Sequence, residues 1–368
     1  MGAYTIFSVL FGIASPFIGG LIDRYGAKRI ISAGALIGCL GFLSLSQLQN
    51  IWHFYASYII IAFSMAAIGP VPATATVSSY FQKRKGTALG IMSVGIGVGM
   101  LVMAPLIGGY LLPTFGWRVS YLVLAFIMLT LLPLALFLIK AKPAATTTRS
   151  GNMESSDVNI EVRLPETASN GLNLKAALGT TAFWLIAFSF FSNGFSVIGT
   201  SQNQALHIQD LGYSLEIAAY TITAMGIGSA IGKFLFGWLC DVIPVRYACA
   251  ISFLFLAGAT IILLYLKPGT PLVVLWVYGV ILGLGGGGWL PTMSIFISTN
   301  FGQKSYGSIF GTIILIQNMG TALGPLFAGS LFDIANTYQW AFITFLVLYA
   351  MAIPATLLIR RPQALVTT

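Results

Sequence analysis

Apolar runs of about twenty residues recur from one end of this chain to the other, each long enough to cross a bilayer as a helix. Short polar stretches separate them. The pattern predicts eleven spans: 3–22, 30–48, 54–80, 87–112, 118–139, 180–203, 214–239, 247–266, 271–299, 306–331 and 338–359. Several exceed the minimum length, which permits tilt or extension past the headgroups. The runs are unbroken where a transmembrane barrel would alternate, which excludes a β-barrel. The predicted fold class is all-α, a polytopic membrane protein. Glycine and proline inside the spans fit this, because neighbouring helices and waters satisfy a loosened backbone there.

One stretch departs from the pattern. Residues 141–179 form a linker, and within it Ala144 to Asn173 is rich in Thr, Ser, Glu and Asn, the composition of a flexible tether. Leu172 to Leu178 predicts a short surface helix ahead of the next span. The linker divides the chain into an N-terminal half, 1–140, with five spans and a C-terminal half, 180–368, with six.

The halves repeat each other. Asp23 and Asp241 lie 218 positions apart, Pro72 and Pro291 lie 219 apart, and Pro105 and Pro325 lie 220 apart. Gly86 and Gly90 after the first proline are answered by Gly307 and Gly311 after the second. Landmarks that keep order and near-constant offset mark an internal repeat. Two parallel halves joined by a linker are what an alternating-access transporter requires. Small residues suit close helix crossings, and Gly95, Gly97, Gly99 and Gly108-Gly109, with Gly283 and Gly285 to Gly288, are expected at such contacts.

Composition agrees. Hydrophobic residues make up 57% of the 368 and charged residues only 7%, against about 25% in soluble domains. The net charge is +9, which in a soluble protein would raise nucleic acid as a partner. Its distribution gives another reason. One set of alternate loops holds 15 of the 18 basic residues, while the opposite loops hold only Arg118 and Lys267. The positive-inside rule makes the first set cytoplasmic, with the C-terminus inside. Cys39, Cys240 and Cys249 lack metal-ligand spacing and predict no disulfide framework. The first apolar run has no basic region ahead of it and does not read as a signal peptide.

The stretch Gly20-Leu21-Ile22-Asp23-Arg24-Tyr25-Gly26-Ala27-Lys28-Arg29 resembles the loop between the second and third helices of the major facilitator superfamily. The resemblance covers essentially the whole chain. Tyr80-Phe81-Gln82-Lys83-Arg84-Lys85-Gly86-Thr87-Ala88-Leu89-Gly90 is similar to the signature of the monocarboxylate porters and the related oxalate/formate antiporters. Ala104-Pro105-Leu106-Ile107-Gly108-Gly109 resembles the fifth-helix motif of antiporters, with Ala104 where Gly is usual. The family has twelve helices. The first span here matches its second, so the resemblance implies that a first helix, one that normally lines the substrate path, is missing from this chain. It also implies a prokaryotic inner membrane as the location.

Lys233 carries the sharpest chemical signal. It lies eight residues before Asp241, about 12 Å deeper along a helix. A lysine at that depth costs a few kcal/mol unless it faces a cavity or a partner, and no acidic residue sits centrally in any span. An inward cation without a protein partner points to an anionic ligand, whereas an outward one would snorkel to the headgroups. The resemblance implies that this position binds the carboxylate of a monocarboxylate. It also implies a second cation on the eleventh helix in oxalate exchangers, where this chain has the neutral Ile316-Gln317-Asn318-Met319. Gln317, Asn318, Asn193 and Gln202 are candidate hydrogen-bonding groups for the substrate and Trp289 a candidate wall, although such residues also tie helices together.

Asp23, Arg24 and Arg29, with Asp241 opposite, are expected at one end of the bundle. The resemblance implies that they latch the halves, through a charge pair and a carboxylate at a helix terminus. Lys83, Arg84 and Lys85 are expected at lipid headgroups, and His53 and His207 at the outer interface. There is no P-loop, metal-ligand cluster or catalytic constellation, and no cofactor is expected. The Gly285 to Gly288 run lacks the Lys-Ser or Lys-Thr of a phosphate cradle. The reading that results is a transporter of small organic anions. Its expected partners are the anion and membrane lipids, with protons involved if Lys233 exchanges one. Efflux of hydrophobic compounds, or a non-transporting membrane sensor or scaffold, are the rival readings.

Overall fold

The computed structural model describes residues 2–81, 83–139 and 171–360, and all of its regular elements are helical. In the first half these are α1 (Gly2–Tyr25), α2 (Ala27–Ser46), α3 (Ile51–Ile68), α4 (Pro70–Tyr80) and α5 (Lys85–Ala104). A π-helical turn over Pro105–Leu111 follows and leads into α6 (Leu112–Leu138). The second half holds α7 (Leu174–Leu178), α8 (Thr181–Asp210), α9 (Leu215–Val242) and α10 (Val245–Tyr265). It ends with α11 (Leu272–Gly287), α12 (Trp289–Phe301), α13 (Tyr306–Ala335) and α14 (Gln339–Leu357).

Local chemistry sets several boundaries. Asn50, Thr180 and Ser214 cap α3, α8 and α9, each side chain accepting from a backbone N–H three residues on. Gly26, at φ +83°, makes the sharp turn between α1 and α2. Two expected spans are broken in the middle. The first breaks at Gly69, where Pro70 starts α4 with a ring pre-set for the first helical turn. The second breaks at Gly288, between α11 and α12.

Ten helical stretches among the described residues are long and apolar enough to cross a membrane. The predicted span 87–112 corresponds to α5 and the π-helical turn that follows it. The predicted loop after it is short and falls at Gly116. Gly116, at φ +75° and ψ 175°, breaks the helical geometry there and separates the two helices that meet at it. The expected surface helix appears as α7, and Leu172 donates its N–H to the Phe301 carbonyl, which holds the end of the linker against the α12–α13 turn.

Two helix pairs make the most extensive contacts between the halves, α1 with α13 and α5 with α9, while α4 and α5 also meet α12. Within the halves, α2 packs on α3 and α6, α8 on α13, α9 on α11, and α10 on α14. The densest core lies in the second half, where Phe183, Phe190, Phe253, Phe345, Tyr278 and Tyr349 are fully buried. Large apolar side chains such as Phe126 and Phe137 face outward, the inverse of a soluble surface and the arrangement that lipid tails accept. His207, expected at an interface, is instead buried edge-on against Phe342. His53 is within 2.8 Å of the Ser44 hydroxyl.

The close crossings fall on the repeat landmarks. A side chain on Gly86 would run into the Gly237 carbonyl, and a Cβ on Gly90 would stand 2.7 Å from the Lys233 carbonyl oxygen. Gly307 and Gly311 meet the backbone of Gly19 and Ser15 in the same way. The expected contacts at Gly95 and Gly99 are not made, since nothing approaches either within 4 Å. Thus α5 and α9 touch at the end bearing Arg84, Arg246 and Lys304, the basic end, and separate above it.

Candidate functional site

Above those crossings lies a cavity of about 360 Å³ between the halves. Phe11 of α1 and Pro70 of α4 line it from the first half. From the second half come Asn193, Val197, Met225, Ser229, Lys233, Gly286, Trp289, Ile314, Gln317 and Asn318, among others. Both broken spans break here: Pro70 opens α4, and Trp289 opens α12 just after Gly286 and Gly288. Non-continuous helices around a midplane cavity are a recurring way to bring polar backbone to a transported solute.

Five of the six predicted residues meet at this cavity: Lys233, Gln317, Asn318, Asn193 and Trp289. Gln317 Nε2 lies 3.5 Å from Asn193 Oδ1, which bridges α13 and α8 at the wall. Asn318 donates to the Ile314 carbonyl at 2.9 Å within its own helix. Lys233 enters from α9, a little over two turns above Asp241, and its Nζ reaches toward Gly97 of α5. It therefore faces the space between the halves rather than the headgroups. Among the described residues no carboxylate lines the cavity.

Gln202 is the exception, and its placement corrects the sequence reading. It is exposed and is absent from the cavity wall. Nine residues along α8 from Asn193 amount to two and a half turns, which points it to the opposite side. Gln204 occupies the inward face instead, accepting from the Tyr278 hydroxyl at 2.8 Å. Ser229 and Phe11 were missed as wall residues. Ser229 lies one turn before Lys233, so the helical repeat alone would have found it.

At the basic end each half grips the other. Asp23, at the end of α1, accepts from the Gly307 and Ser308 N–H groups, both at 2.8 Å, and from the Ser308 hydroxyl at 2.6 Å. Asp241, at the end of α9, accepts from the Gly86 N–H at 2.6 Å and from the Thr87 N–H and hydroxyl, both at 2.7 Å. Each carboxylate thus caps the N-terminus of a helix in the other half, where unpaired N–H groups and the helix dipole favour negative charge. The expected charge pair does not form. Arg24 lies over the Tyr25 ring, 5.3 Å from its centroid, and Arg29 is exposed. Backbone donors do the holding, and they need no cation.

Lys83 and Arg84 are exposed, as expected of headgroup contacts. Lys85 departs from them. Its Nζ lies inward, 5.8 Å from the centre of the Tyr306 ring on α13.

Two helical halves around a central cavity, clipped together at one end, are the architecture of a membrane transporter. The Major Facilitator Superfamily model matches residues 2–317 and 205–367, and the chain belongs to that superfamily. Monocarboxylate transporter 11 of Mus musculus is 27% identical over 345 residues, covering 90% of this chain and 72% of that protein. The uncharacterized MFS-type transporter YcxA of Bacillus subtilis (strain 168) is 27% identical over 352 residues, covering 91% and 79%. Among solved structures, the superfamily transporter FucP in the outward conformation superposes with a TM-score of 0.73 at 15% identity, covering 98% of this chain and 91% of that one. The human organic anion transporter MFSD10 superposes with a TM-score of 0.73 at 16% identity, covering 96% and 82%. These likenesses establish a multi-pass integral membrane protein that works as a transporter of this superfamily.

Proposed function

We propose that the chain carries small organic anions, and among them monocarboxylates, by alternating access between its two halves, 1–140 and 180–368. Lys233 is the observation that carries this reading. It is a cation on the wall of an otherwise uncharged cavity, and an ammonium there forms a charge-assisted bond with a carboxylate. One cation suits one carboxylate. Gln317 and Asn318, neutral where a second cation would hold a dicarboxylate, donate hydrogen bonds, while Phe11, Val197, Met225 and Trp289 pack the organic body. The similarity to named monocarboxylate transporters points the same way. In this orientation the basic end is cytoplasmic and the membrane is the cell membrane. The Asp23 and Asp241 caps then form a latch that closes the cytoplasmic side while substrate enters from outside.

Proteoliposomes are expected to take up radiolabelled pyruvate, lactate or formate, and Lys233→Gln is expected to abolish that uptake. Unchanged uptake in the variant would remove Lys233 from the site. Export of hydrophobic dyes by the Lys233→Gln protein, with no carboxylate transport by the unmodified one, would replace the anion reading altogether.

A further inference from the structure

The cavity walls continue toward the basic end into a second polar group. Thr74 and Ser78 lie one and two turns beyond Pro70 on α4. Ser294 lies on α12, one turn beyond the cavity wall. Tyr306 precedes Gln317 by eleven residues on α13, which is about three turns, so it shares the Gln317 face some 16 Å nearer the basic end. All four are buried: Thr74 and Ser294 at 0% exposure, Ser78 at 1% and Tyr306 at 2%. The Ser78 hydroxyl stands 3.3 Å from that of Ser294, across the boundary between the halves. Ser294 in turn meets the Tyr306 hydroxyl, with Thr74 also in reach.

Lys85 completes the group by placing its ammonium beside the Tyr306 ring. The nearby Asp241 carboxylate is occupied by Gly86 and Thr87. Among the described residues no carboxylate bridges to Lys85. The repeat adds a second argument. Gly86 and Gly307 are equivalent positions, 221 apart, and so are Gly90 and Gly311. Lys85 and Tyr306 have the same offset. Equivalent residues that face each other across two parallel repeats lie at the pseudo-twofold axis along the membrane normal. In a rocking carrier, cargo moves along that axis.

We propose that Lys85, with the hydroxyls of Thr74, Ser78, Ser294 and Tyr306, forms a second carboxylate-binding station at the cytoplasmic mouth of the path. The proposal rests on the anion-transport reading above. In the present conformation the station is collapsed: its hydroxyls bond to each other and seal the floor of the cavity. When the halves part at the basic end, α4 leaves α12 and α5 leaves α13. Those motions separate Ser78 from Ser294 and Lys85 from Tyr306. A cation and several donors then face the opening, where they receive the anion released by Lys233 or capture one from the cytoplasm.

The test is lactate–lactate exchange by the full chain, reconstituted in one orientation. The half-saturating concentration is read separately at each face, with the opposite face held saturated. In 1:1 homo-exchange the maximal rate is common to both directions, and a change in the balance between the two conformations moves the two half-saturation values in opposite directions, whereas weaker binding at one face raises the value at that face. Lys85→Gln is expected to raise the inner value about tenfold and to leave the outer value unchanged. Lys85→Arg is expected to restore it, and Tyr306→Phe to raise the inner value several-fold. A role in the fold alone would move both values together, and a role in the gate alone would move them in opposite directions. An inner value unmoved in Lys85→Gln, or shifts at both faces, whether equal or opposite, would overturn the station while leaving the Lys233 site intact. An unmodified protein that exchanges none of lactate, pyruvate and formate would overturn the anion-transport reading itself, and the station with it.

Discussion

At the scale of single residues, what matters is which face of its helix a polar side chain occupies. Asn193 and Gln317 meet inside the cavity wall, both buried, whereas Gln202 looks outward. Asn193→Ala and Gln317→Ala are expected to raise the half-saturating lactate concentration roughly three- to tenfold, the range for one lost hydrogen bond. Gln202→Ala is expected to leave it unchanged. Initial-rate uptake checks both, and a strong Gln202→Ala effect would show that the path runs on the other side of α8. This contrast also marks how far the sequence could be read. Lys233 was legible because depth can be counted from Asp241 and a buried cation is costly enough to need a reason. Gln202 was misread because its polarity was weighed without its phase relative to Asn193. Thr74, Ser78 and Ser294 gave no signal, since hydroxyls are common in spans and usually bond to their own helix, as Thr74 does to Pro70.

At the scale of elements, the spans were legible from apolar length, but their interruptions were not. Pro70 and the Gly285 to Gly288 run were visible, yet only packing shows that both breaks open onto one cavity. The same holds for the clips at the basic end. Asp23 and Asp241 could be paired by the repeat, but their partners are backbone N–H groups, which no side-chain pattern displays. Each carboxylate replaces water at two N–H groups and a hydroxyl, and a hydrogen bond to a charged group contributes about 1.5–3 kcal/mol. Asp241→Asn keeps the shape and removes the charge, so it is expected to shift the balance toward opening at the basic end by about tenfold or more. Cys240 reports this directly, because its Cβ lies where α9 meets Gly86. With Cys39 and Cys249 replaced by serine, Asp241→Asn and Asp23→Asn are each expected to speed Cys240 alkylation by a maleimide applied from the basic side. Equal rates in all three proteins would show that the caps do not hold the conformation.

At the scale of the whole molecule, the repeat builds a near-symmetric frame around an asymmetric site. Gly86 and Gly90 cross α9 as Gly307 and Gly311 cross α1, and each aspartate caps the opposite half. Eight residues before Asp241 stands Lys233, while eight residues before Asp23 stands Ser15, whose hydroxyl bonds to the Phe11 carbonyl. Among the described residues only one half offers a cation at cavity depth, so in the proposed carrier the charge of the cargo falls to a single anchor there. A second anchor should change what is carried. Asn318 lies on the cavity wall on α13, only partly buried, with its Cβ about 3 Å from the position a side chain on Gly12 would take. Its carboxamide serves its own helix, so replacement frees no partner elsewhere. Asn318→Arg would place a guanidinium across the cavity from Lys233, where a two-carboxylate anion could engage both. The unmodified protein is expected to show little inhibition of lactate uptake by oxalate. Asn318→Arg is expected to gain inhibition by oxalate and to lose affinity for lactate, which leaves the second cation unpaired. Strong oxalate inhibition of the unmodified protein would mean that Lys233 is not the only cation the anion meets in the cavity.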